Sequence, residues 1–203
     1  MIISIINEKG GVGKTTITFN LAIEYQKTDK DIFLIDADKQ KSLTMLNNLR
    51  QQNKFKMIDI NNIETIKNKI ILIDTGGRDN QEMRQSILLS DIVIIIINIS
   101  QLDIFVIEKM KDLSNEAKKI NKKLKIYYLL NRITTNIFLS KEIKEFKELI
   151  GTLNINILNS IIHERNSYKK SLQDGIGISE MLNKDNKAIM EMQNLYDEIN
   201  NIL

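Results

Sequence analysis

Short runs of aliphatic and aromatic residues recur along this chain, separated by segments in which apolar residues return every three or four positions. The runs are nearly continuous rather than alternating, which is typical of strands buried on both faces of a sheet. They predict strands at residues 2–6, 32–35, 70–73, 92–97 and 126–130, and a weaker strand near 155–162. Because helical patterns separate the strands, we expect an α/β protein with a mostly parallel sheet and helices on both faces.

Three of the helical segments have clear bounds. We predict helices at about residues 102–120, at 141–150 with Gly151 as the stop signal, and at about 184–203. The last helix carries an apolar stripe, and its polar face has more acidic than basic residues. A helix that lies on a membrane surface should be basic on that face. We therefore expect the last helix to pack against the sheet, with no membrane partner.

Composition and length set broad limits. With 203 residues, 42% of them hydrophobic, the chain suits one domain covering residues 1–203. It has no cysteine, which excludes disulfides, cysteine-ligated zinc and iron–sulfur clusters carried by this chain. The apolar run at 92–97 is too short to cross a bilayer, and Met1 leads directly into the first strand. We expect a cytoplasmic protein.

A glycine-rich stretch lies between the first predicted strand and the first helical pattern. It reads Lys9-Gly10-Gly11-Val12-Gly13-Lys14-Thr15-Thr16. Strand, glycine-rich loop and helix form the context of a phosphate-binding loop, in which backbone N–H groups and the positive end of the helix face anionic oxygens. In such a loop Lys14 reaches the β- and γ-phosphates and the hydroxyl of Thr15 binds Mg²⁺. The stretch predicts a nucleotide site.

The loop departs from the standard pattern Gly-x-x-x-x-Gly-Lys-Thr. Glu8 stands where the first glycine would be, and a second lysine, Lys9, opens the loop. In this respect it resembles the deviant Walker A box of the ParA/MinD family of ATPases. The resemblance implies a P-loop NTPase of the deviant Walker A class that binds ATP or ADP with Mg²⁺ and hydrolyses ATP. It also implies an ATP-sandwich homodimer, in which Lys9 reaches the phosphates of the partner subunit and is catalytic together with Lys14.

Acidic residues follow two of the predicted strands. Asp36 and Asp38 come after the second strand and Asp74 after the third, at the edge where parallel sheets bind ligands. The resemblance places Asp38 on the attacking water and Asp36 near the metal. Asp74 is in the Walker B position and would hold Mg²⁺ directly or through water. Considered alone, the segment around Asp38 could be a solvated turn, and Lys39 replaces the proline usual in the family.

The segment after Asp74 resembles the partition branch of the ParA family in particular. Gly76 and Gly77 permit close approach of the backbone to the γ-phosphate, so this loop could act as a switch with Asp38 and sense phosphate loss. Arg78 could be a phosphate sensor or a surface arginine, and the residues do not decide between these interpretations.

Two later segments are assigned to the base by the resemblance. Asn131 and Arg132 end a predicted strand, and the Asn131 amide would read the edge of adenine; the alternative is a polar strand cap. Residues 162–175 resemble the family segment that closes over the base. His163, the only histidine, is expected to be a strand-end residue rather than a catalytic base or a ligand.

Two groups of basic residues are candidates for non-specific DNA binding. Between residues 109 and 125 there are seven lysines and two acidic residues, although such runs are usually solvated helix faces. A second group follows the last predicted strand. The candidates are Lys118, Lys119, Lys122, Lys123, Arg165, Lys169 and Lys170.

Together these features resemble a small ParA of the ParF type, a plasmid or chromosome partition ATPase. Because few residues precede the first strand, we expect no N-terminal DNA-reading domain. The resemblance implies a small centromere-binding partner of the ParB/ParG kind and association with the nucleoid, and it leaves open whether dimers assemble further. One alternative is an ATPase that positions a protein cargo without binding DNA. Another is a ligase similar to dethiobiotin synthetase, against which Lys9 argues because that branch lacks this lysine.

Overall fold

The sheet that the apolar runs predict is present and entirely parallel. The computed structural model describes residues 1–28, 31–65, 69–99, 104–135 and 140–202. Within these residues seven strands form one sheet in the order β3-β2-β4-β1-β5-β6-β7. The strands are β1 (Ile2–Ile6), β2 (Ile32–Ala37), β3 (Lys56–Met57), β4 (Ile70–Thr75), β5 (Ile92–Ile97), β6 (Lys125–Ile133) and β7 (Ile157–His163). The predicted α/β fold class is therefore confirmed.

Helices cover both faces of the sheet, as predicted. They are α1 (Lys14–Gln26), α2 (Ser42–Leu49), α3 (Gln81–Leu89), α4 (Ile104–Ile120), α5 (Ser140–Thr152), α6 (Asn166–Gln173) and α7 (Asn186–Ile202), with 3-10 turns at Ile60–Thr65 and Ile178–Glu180. One apolar cluster joins the sheet to α1, α2, α6 and α7, and a second joins it to α3, α4 and α5. Every residue of β4 and β5 is buried, which explains their continuous apolar runs.

The strand order places the first strand at the centre of the sheet. β1 pairs with β4 on one side and with β5 on the other. The chain leaves β1 toward β2 in one direction, whereas β5 to β7 extend in the other direction. This reversal opens a crevice at the carboxyl ends of the central strands, which is where parallel sheets bind ligands.

Three sequence expectations need correction. The two-residue edge strand β3 was not predicted, because Lys56–Met57 carries no apolar run and is defined only by its pairing with β2. Gly151 does not stop α5, which continues to Thr152. The helix ends in a turn where Asn154, with φ 54°, takes the left-handed conformation. Finally, β7 lies at residues 157–163 rather than 155–162. The predicted helix at 102–120 begins partly outside the described residues, which resume at Ile104.

The last helix packs against the sheet, as expected. Ala188, Met192, Leu195 and Ile199 are buried in the same apolar cluster as α1. The acidic face also contributes, since the carboxylate of Glu198 accepts hydrogen bonds from the backbone of β7 at 2.6 and 2.8 Å. No helix in the described part of the chain is both long and apolar enough to span a bilayer.

Leu195→Ala should lower the free energy of unfolding by about 2–5 kcal/mol, because it leaves a cavity between α7 and the sheet. Urea denaturation measures the loss. Met190 lies on the same helix and is 61% exposed, so Met190→Ala is a matched control that should change stability by less than about 0.5 kcal/mol. Equal losses in the two variants would contradict the packing of α7.

Candidate functional site

The glycine-rich loop leaves β1 and enters α1 in a conformation that needs glycine. Gly11 and Gly13 have φ values of 75° and 97°, in the left-handed region. A Cβ atom on Gly13 would also lie 2.5 Å from Nδ2 of Asn131. The spacing of glycines in the sequence thus reflects both backbone conformation and close packing of the loop against the end of β6.

The entrance of the loop is anchored by residues that the sequence analysis did not single out. The backbone N–H of Lys9 donates to Oδ1 of Asn7 at 2.6 Å, and Nδ2 of Asn7 donates to the carbonyl of Ile96 at 2.5 Å. Glu8 accepts a 2.5 Å hydrogen bond from Nζ of Lys109 on α4. Asn7 is 3% exposed. In the sequence, its position directly after the apolar run at 2–6 is the signal that identifies it as a polar anchor.

Lys14 extends into the crevice from the first turn of α1. It is 6% exposed, and its Nζ donates to the carbonyl oxygen of Lys9 at 3.0 Å. Burial lowers the pKa of Lys14, while the nearby carboxylates of Asp74 and Asp38 act in the opposite direction. The loop therefore holds a buried ammonium group whose charge an anionic ligand would complement.

Asp74 lies at the end of β4 directly beside the loop. Its Oδ2 accepts a 2.6 Å hydrogen bond from Oγ1 of Thr15. Its Oδ1 is buried and has no hydrogen-bond partner in the described part of the chain. Burial raises the pKa of Asp74 to about 7; Asp36 adds to this, and the hydrogen bond from Thr15 opposes it.

This pair fits a magnesium site. Mg²⁺ takes oxygen ligands, keeps several waters, and needs only one or two protein groups when substrate phosphates supply the rest. The hydroxyl of Thr15 and the orphaned oxygen of Asp74 are such groups. A bound cation would also favour the ionised form of Asp74, which burial disfavours.

Asp36 lies beside Asp74 in the sheet register but is already occupied. Its Oδ2 accepts from the backbone N–H and the hydroxyl of Thr44, both at 2.8 Å, and its Oδ1 accepts from the N–H of Asp38 at 3.2 Å. The carboxylate therefore holds the first turn of α2 and shapes the loop between β2 and α2. Its predicted place near the metal stays a prediction.

The loop that carries Gly76 and Gly77 contacts both the loop that carries Asp38 and the glycine-rich loop. A Cβ on Gly76 would lie 3.3 Å from Oδ1 of Asp38, and a Cβ on Gly77 would lie 2.6 Å from the backbone nitrogen of Gly10. The predicted switch residues are thus brought together, and Gly77 leaves no room for a side chain. A movement of the Gly77 loop would therefore displace the start of the glycine-rich loop, on which it packs.

Arg78 lies in the loop between β4 and α3, and its side chain is exposed. The next residue, Asp79, is fixed by two 2.9 Å hydrogen bonds from Arg84. The structure does not place Arg78 against another charged group in the described residues. Both interpretations of this arginine therefore remain predictions.

Asn131 and Arg132 fasten the glycine-rich loop to the end of β6. Nδ2 of Asn131 donates to the carbonyl of Val12 at 2.7 Å, and the Arg132 guanidinium donates to the carbonyl of Gly11. Arg132 does so from a left-handed backbone with φ 56°. The bond to Val12 uses one of the two Nδ2 hydrogens of Asn131, so the second hydrogen and Oδ1 are both left for its predicted contact with a base.

A cleft opens beside this junction, between the glycine-rich loop and the segment that follows β7. Its walls are formed by Gly13, Thr16, Asn131, Arg132, Ile162, His163, Glu164, Arg165, Tyr168, Lys169 and Leu172. The segment after β7, which the sequence analysis assigned to the base, therefore lies next to the loop. The segment that the resemblance assigns to the base and the glycine-rich loop thus line one cleft, and the assignment of this cleft to the nucleoside stays a prediction.

The two basic groups lie at opposite ends of the strands β6 and β7, which are neighbours in the sheet. Lys118, Lys119, Lys122 and Lys123 are exposed at the end of α4, just before β6 starts. The second group follows the carboxyl end of β7, roughly 30 Å away by the length of a nine-residue strand. Within it, Arg165 is 15% exposed and paired with Glu191 at 2.5 Å. The seven candidates therefore do not form one surface, and Arg165 is largely committed inside the protein.

A parallel sheet whose central strand enters a helix through this loop defines a P-loop nucleotide-binding protein. Residues 3–178 match the family described as the CobQ/CobB/MinD/ParA nucleotide binding domain. The chain belongs to this family, as the resemblance of its glycine-rich loop predicts.

Several relatives match over nearly the whole chain. Maintenance of carboxysome distribution protein A of Halothiobacillus neapolitanus is 19% identical and aligns over 97% of this chain and 95% of its own length. A putative plasmid partition protein of Borrelia burgdorferi, solved with AMPPNP, has a TM-score of 0.78 at 21% identity and covers 100% and 99% of the two chains. MinD in the MinC:MinD complex of Aquifex aeolicus has a TM-score of 0.75 at 21% identity, with 98% and 96% covered.

Asp74→Asn should flatten the pH dependence of stability in the nucleotide-free protein. The pKa of Asp74 is about 7 in the folded state and about 3.9 in an unfolded chain, so between these values the folded state binds more protons. Asp74 therefore makes stability fall as the pH rises from about 4 to about 7. Thermal unfolding between pH 4 and pH 8 measures this slope.

The exposed Asp197 provides the control for this experiment. Asp197→Asn should keep the slope of the parent protein, since it removes a carboxylate that is not buried. Parallel profiles for the parent and Asp74→Asn would show that the burial of Asp74 does not govern the pH dependence.

Proposed function

We propose that this protein is a ParA-like ATPase that binds Mg-ATP, forms an ATP-sandwich homodimer and drives plasmid or chromosome partition. Residues 1–203 would act as one ATPase domain. The observation that carries the proposal is the loop itself: Lys14 is buried beside Thr15 and Asp74, while a second lysine opens the loop where the Gly77 segment packs on it. ATP hydrolysis to ADP and phosphate requires little covalent chemistry, so positioning and charge stabilisation carry it.

The proposal assigns a role to the main polar groups of the crevice. Lys14 and the backbone N–H groups of residues 10–16 bind the phosphates, and Thr15 and Asp74 hold Mg²⁺, which would neutralise charge on the β- and γ-phosphates. Asp38 orients the attacking water. Its position against Gly76, at the junction of the two switch loops, supports this role because loss of the γ-phosphate would change both loops together.

Dimerisation would bring two crevices face to face. Two triphosphates in a partly desolvated interface repel each other unless cations lie between them. Lys14 serves its own nucleotide, so a second lysine at the loop entrance is suited to the nucleotide of the partner. ATP would then favour the dimer because it binds the dimer in preference to the monomer.

The lysine group at the end of α4 is the better candidate for DNA. It lies at the amino ends of the strands, whereas the crevice lies at their carboxyl ends, and it would remain accessible in a dimer that joins at the crevice. The group after β7 is weaker, because Glu191 neutralises Arg165 and Glu164 lies 3.9 Å from Lys169. We propose that the protein acts in the cytoplasm on the nucleoid, with a small ParB/ParG-like centromere-binding protein that stimulates hydrolysis.

A second function has support from one comparison. The similarity to a carboxysome distribution protein extends over nearly the whole chain. The same ATPase cycle could position a protein cargo. Both functions use the same nucleotide site, and binding of the ATP-bound dimer to DNA is the property that separates partition from a cargo role without DNA.

Lys9→Ala should keep ATP binding by the monomer and lose ATP-dependent dimerisation. The reason is that the variant removes the cation that we assign to the partner's phosphates but leaves Lys14. Sedimentation velocity with ATP, in an Asp38→Ala background that blocks turnover, measures the dimer, and calorimetry measures binding. Lys187 is an exposed lysine on α7, and Lys187→Ala should dimerise normally.

Full dimerisation of Lys9→Ala, or normal hydrolysis by a monomeric Lys9→Ala protein carrying Asp38, would contradict the role of Lys9 across the interface. Loss of nucleotide binding by the monomer would place Lys9 on its own nucleotide instead.

Replacing Lys118, Lys119, Lys122 and Lys123 by glutamine should weaken binding of random-sequence DNA to the ATP-bound dimer. Each phosphate contact that is lost should reduce the slope of log affinity against log salt by about 0.9. Fluorescence anisotropy at several salt concentrations measures both quantities. The control is Lys170→Gln in the second group, an exposed lysine that does not line the cleft and should change the slope little. A dimer that does not bind DNA would favour the cargo function.

A further inference from the structure

The N-terminal half of α7 is fastened to the segment that forms one wall of the nucleoside cleft. Oγ of Ser167 donates to Oδ2 of Asp185 at 2.7 Å, and the hydroxyl of Tyr168 donates to the carbonyl of Ala188 at 3.2 Å. One turn further along, Glu191 contacts the residues that end β7 and precede α6. The wall of the cleft is therefore held from behind by a helix that contributes no residue to its lining.

Glu191 is the central group of this contact. Its side chain is 12% exposed, and its carboxylate accepts hydrogen bonds from the backbone N–H of His163 at 3.2 Å and from Nη2 of Arg165 at 2.5 Å. Nε of Arg165 donates to the same carboxylate at 3.2 Å. The guanidinium of Arg165 balances the negative charge of Glu191.

The same carboxylate fixes the ring of His163. Nδ1 of the ring lies 2.8 Å from Oε1 of Glu191. Because an ionised carboxylate only accepts hydrogen bonds, Nδ1 carries the hydrogen, and in the neutral ring Nε2 is then an acceptor. Nε2 has no hydrogen-bond partner among the described residues, and the side chain, 29% exposed, lines the cleft together with Gly13 and Asn131.

We propose that His163 is a nucleoside-binding residue and that Glu191 is its positioning residue. In this arrangement Nε2 accepts a hydrogen bond from a donor group of the bound nucleoside, either a ribose hydroxyl or the 6-amino group of adenine. The proposal rests on the proposed function, since it requires a nucleotide in the cleft. His163 is the last residue of β7, as expected, but the geometry gives it a ligand-binding role that its position at a strand end did not suggest.

Calorimetric titration with diphosphates at about pH 8 tests the proposal without turnover or dimerisation. The four ligands are ADP, 2′-deoxy-ADP, 3′-deoxy-ADP and purine riboside diphosphate. ADP has all the candidate donors, and each of the other three lacks one: the 2′-hydroxyl, the 3′-hydroxyl or the 6-amino group. His163→Ala should weaken ADP binding about fivefold, as expected for one neutral hydrogen bond. The analogue without the true donor should bind the parent protein equally weakly and lose nothing further in His163→Ala. That analogue identifies the group that His163 contacts.

Two further variants test the roles of the pair. His163→Gln retains an acceptor oxygen and should recover part of the affinity, and it also serves if His163→Ala does not fold. Glu191→Ala should weaken ADP binding as much as His163→Ala does, and the double variant should be no weaker. Ser167→Ala removes the hydrogen bond between α6 and Asp185, the residue before α7, without touching the ring, and its ADP affinity should stay at the parent value.

The outcomes separate this proposal from the proposed function. A parent protein that binds none of the four diphosphates would overturn both. The role of His163 alone would be overturned by a different result. In that case the parent protein binds ADP, and the affinities of His163→Ala and His163→Gln for all four ligands change by the same factor or not at all. Additive losses in the double variant would overturn the positioning role of Glu191.

Discussion

The burial of Asp74 is the constraint on which the site depends. A carboxylate with no exposed surface is costly to ionise, and among the described residues a hydroxyl and a neighbouring ammonium group offset the cost. Thr15 and Lys14 provide these groups because the glycine-rich loop turns α1 back over the end of β4. A buried carboxylate and a buried ammonium group therefore lie close together at the loop. In the proposed function, the magnesium ion and the phosphates of the nucleotide would complement these two charges.

Side chains from the ends of two strands, β1 and β6, keep the loop in the conformation that this arrangement needs. Asn7 fixes its entrance to β5, and Asn131 and Arg132 hold two of its carbonyl groups. Asn131 and Arg132 bind carbonyl oxygens of the loop and use none of its N–H groups, whereas Asn7 accepts the N–H of Lys9 at the loop entrance. The site is thus organised in advance of any ligand, and such preorganisation reduces the cost of binding.

Much of the fold follows from local pattern, and the less predictable features follow from tertiary packing. Continuous isoleucine-rich runs predict the buried strands because every residue of β4 and β5 faces a helix layer. The glycine-rich loop is predictable because Gly11 and Gly13 adopt conformations that other residues avoid. In contrast, Lys56–Met57 becomes a strand only through pairing with β2, and the contact of Glu191 with His163 joins residues that are 28 positions apart. Neither the pairing of β3 nor the contact of Glu191 can be read from a local pattern. The separation of the two basic groups to opposite ends of the strands cannot be read from it either.

The position of the α4 lysine group has a consequence for the geometry of the proposed dimer. If two subunits join at their crevices, their lysine groups lie at the two outer ends of the assembly and face away from each other. Such a dimer would contact a polyanion at two separate points, and the second contact would benefit from the high local concentration created by the first. Weak individual contacts would then give substantial avidity that disappears when the dimer separates. Hydrolysis would thereby release the dimer from the polyanion without any change in the lysine groups themselves.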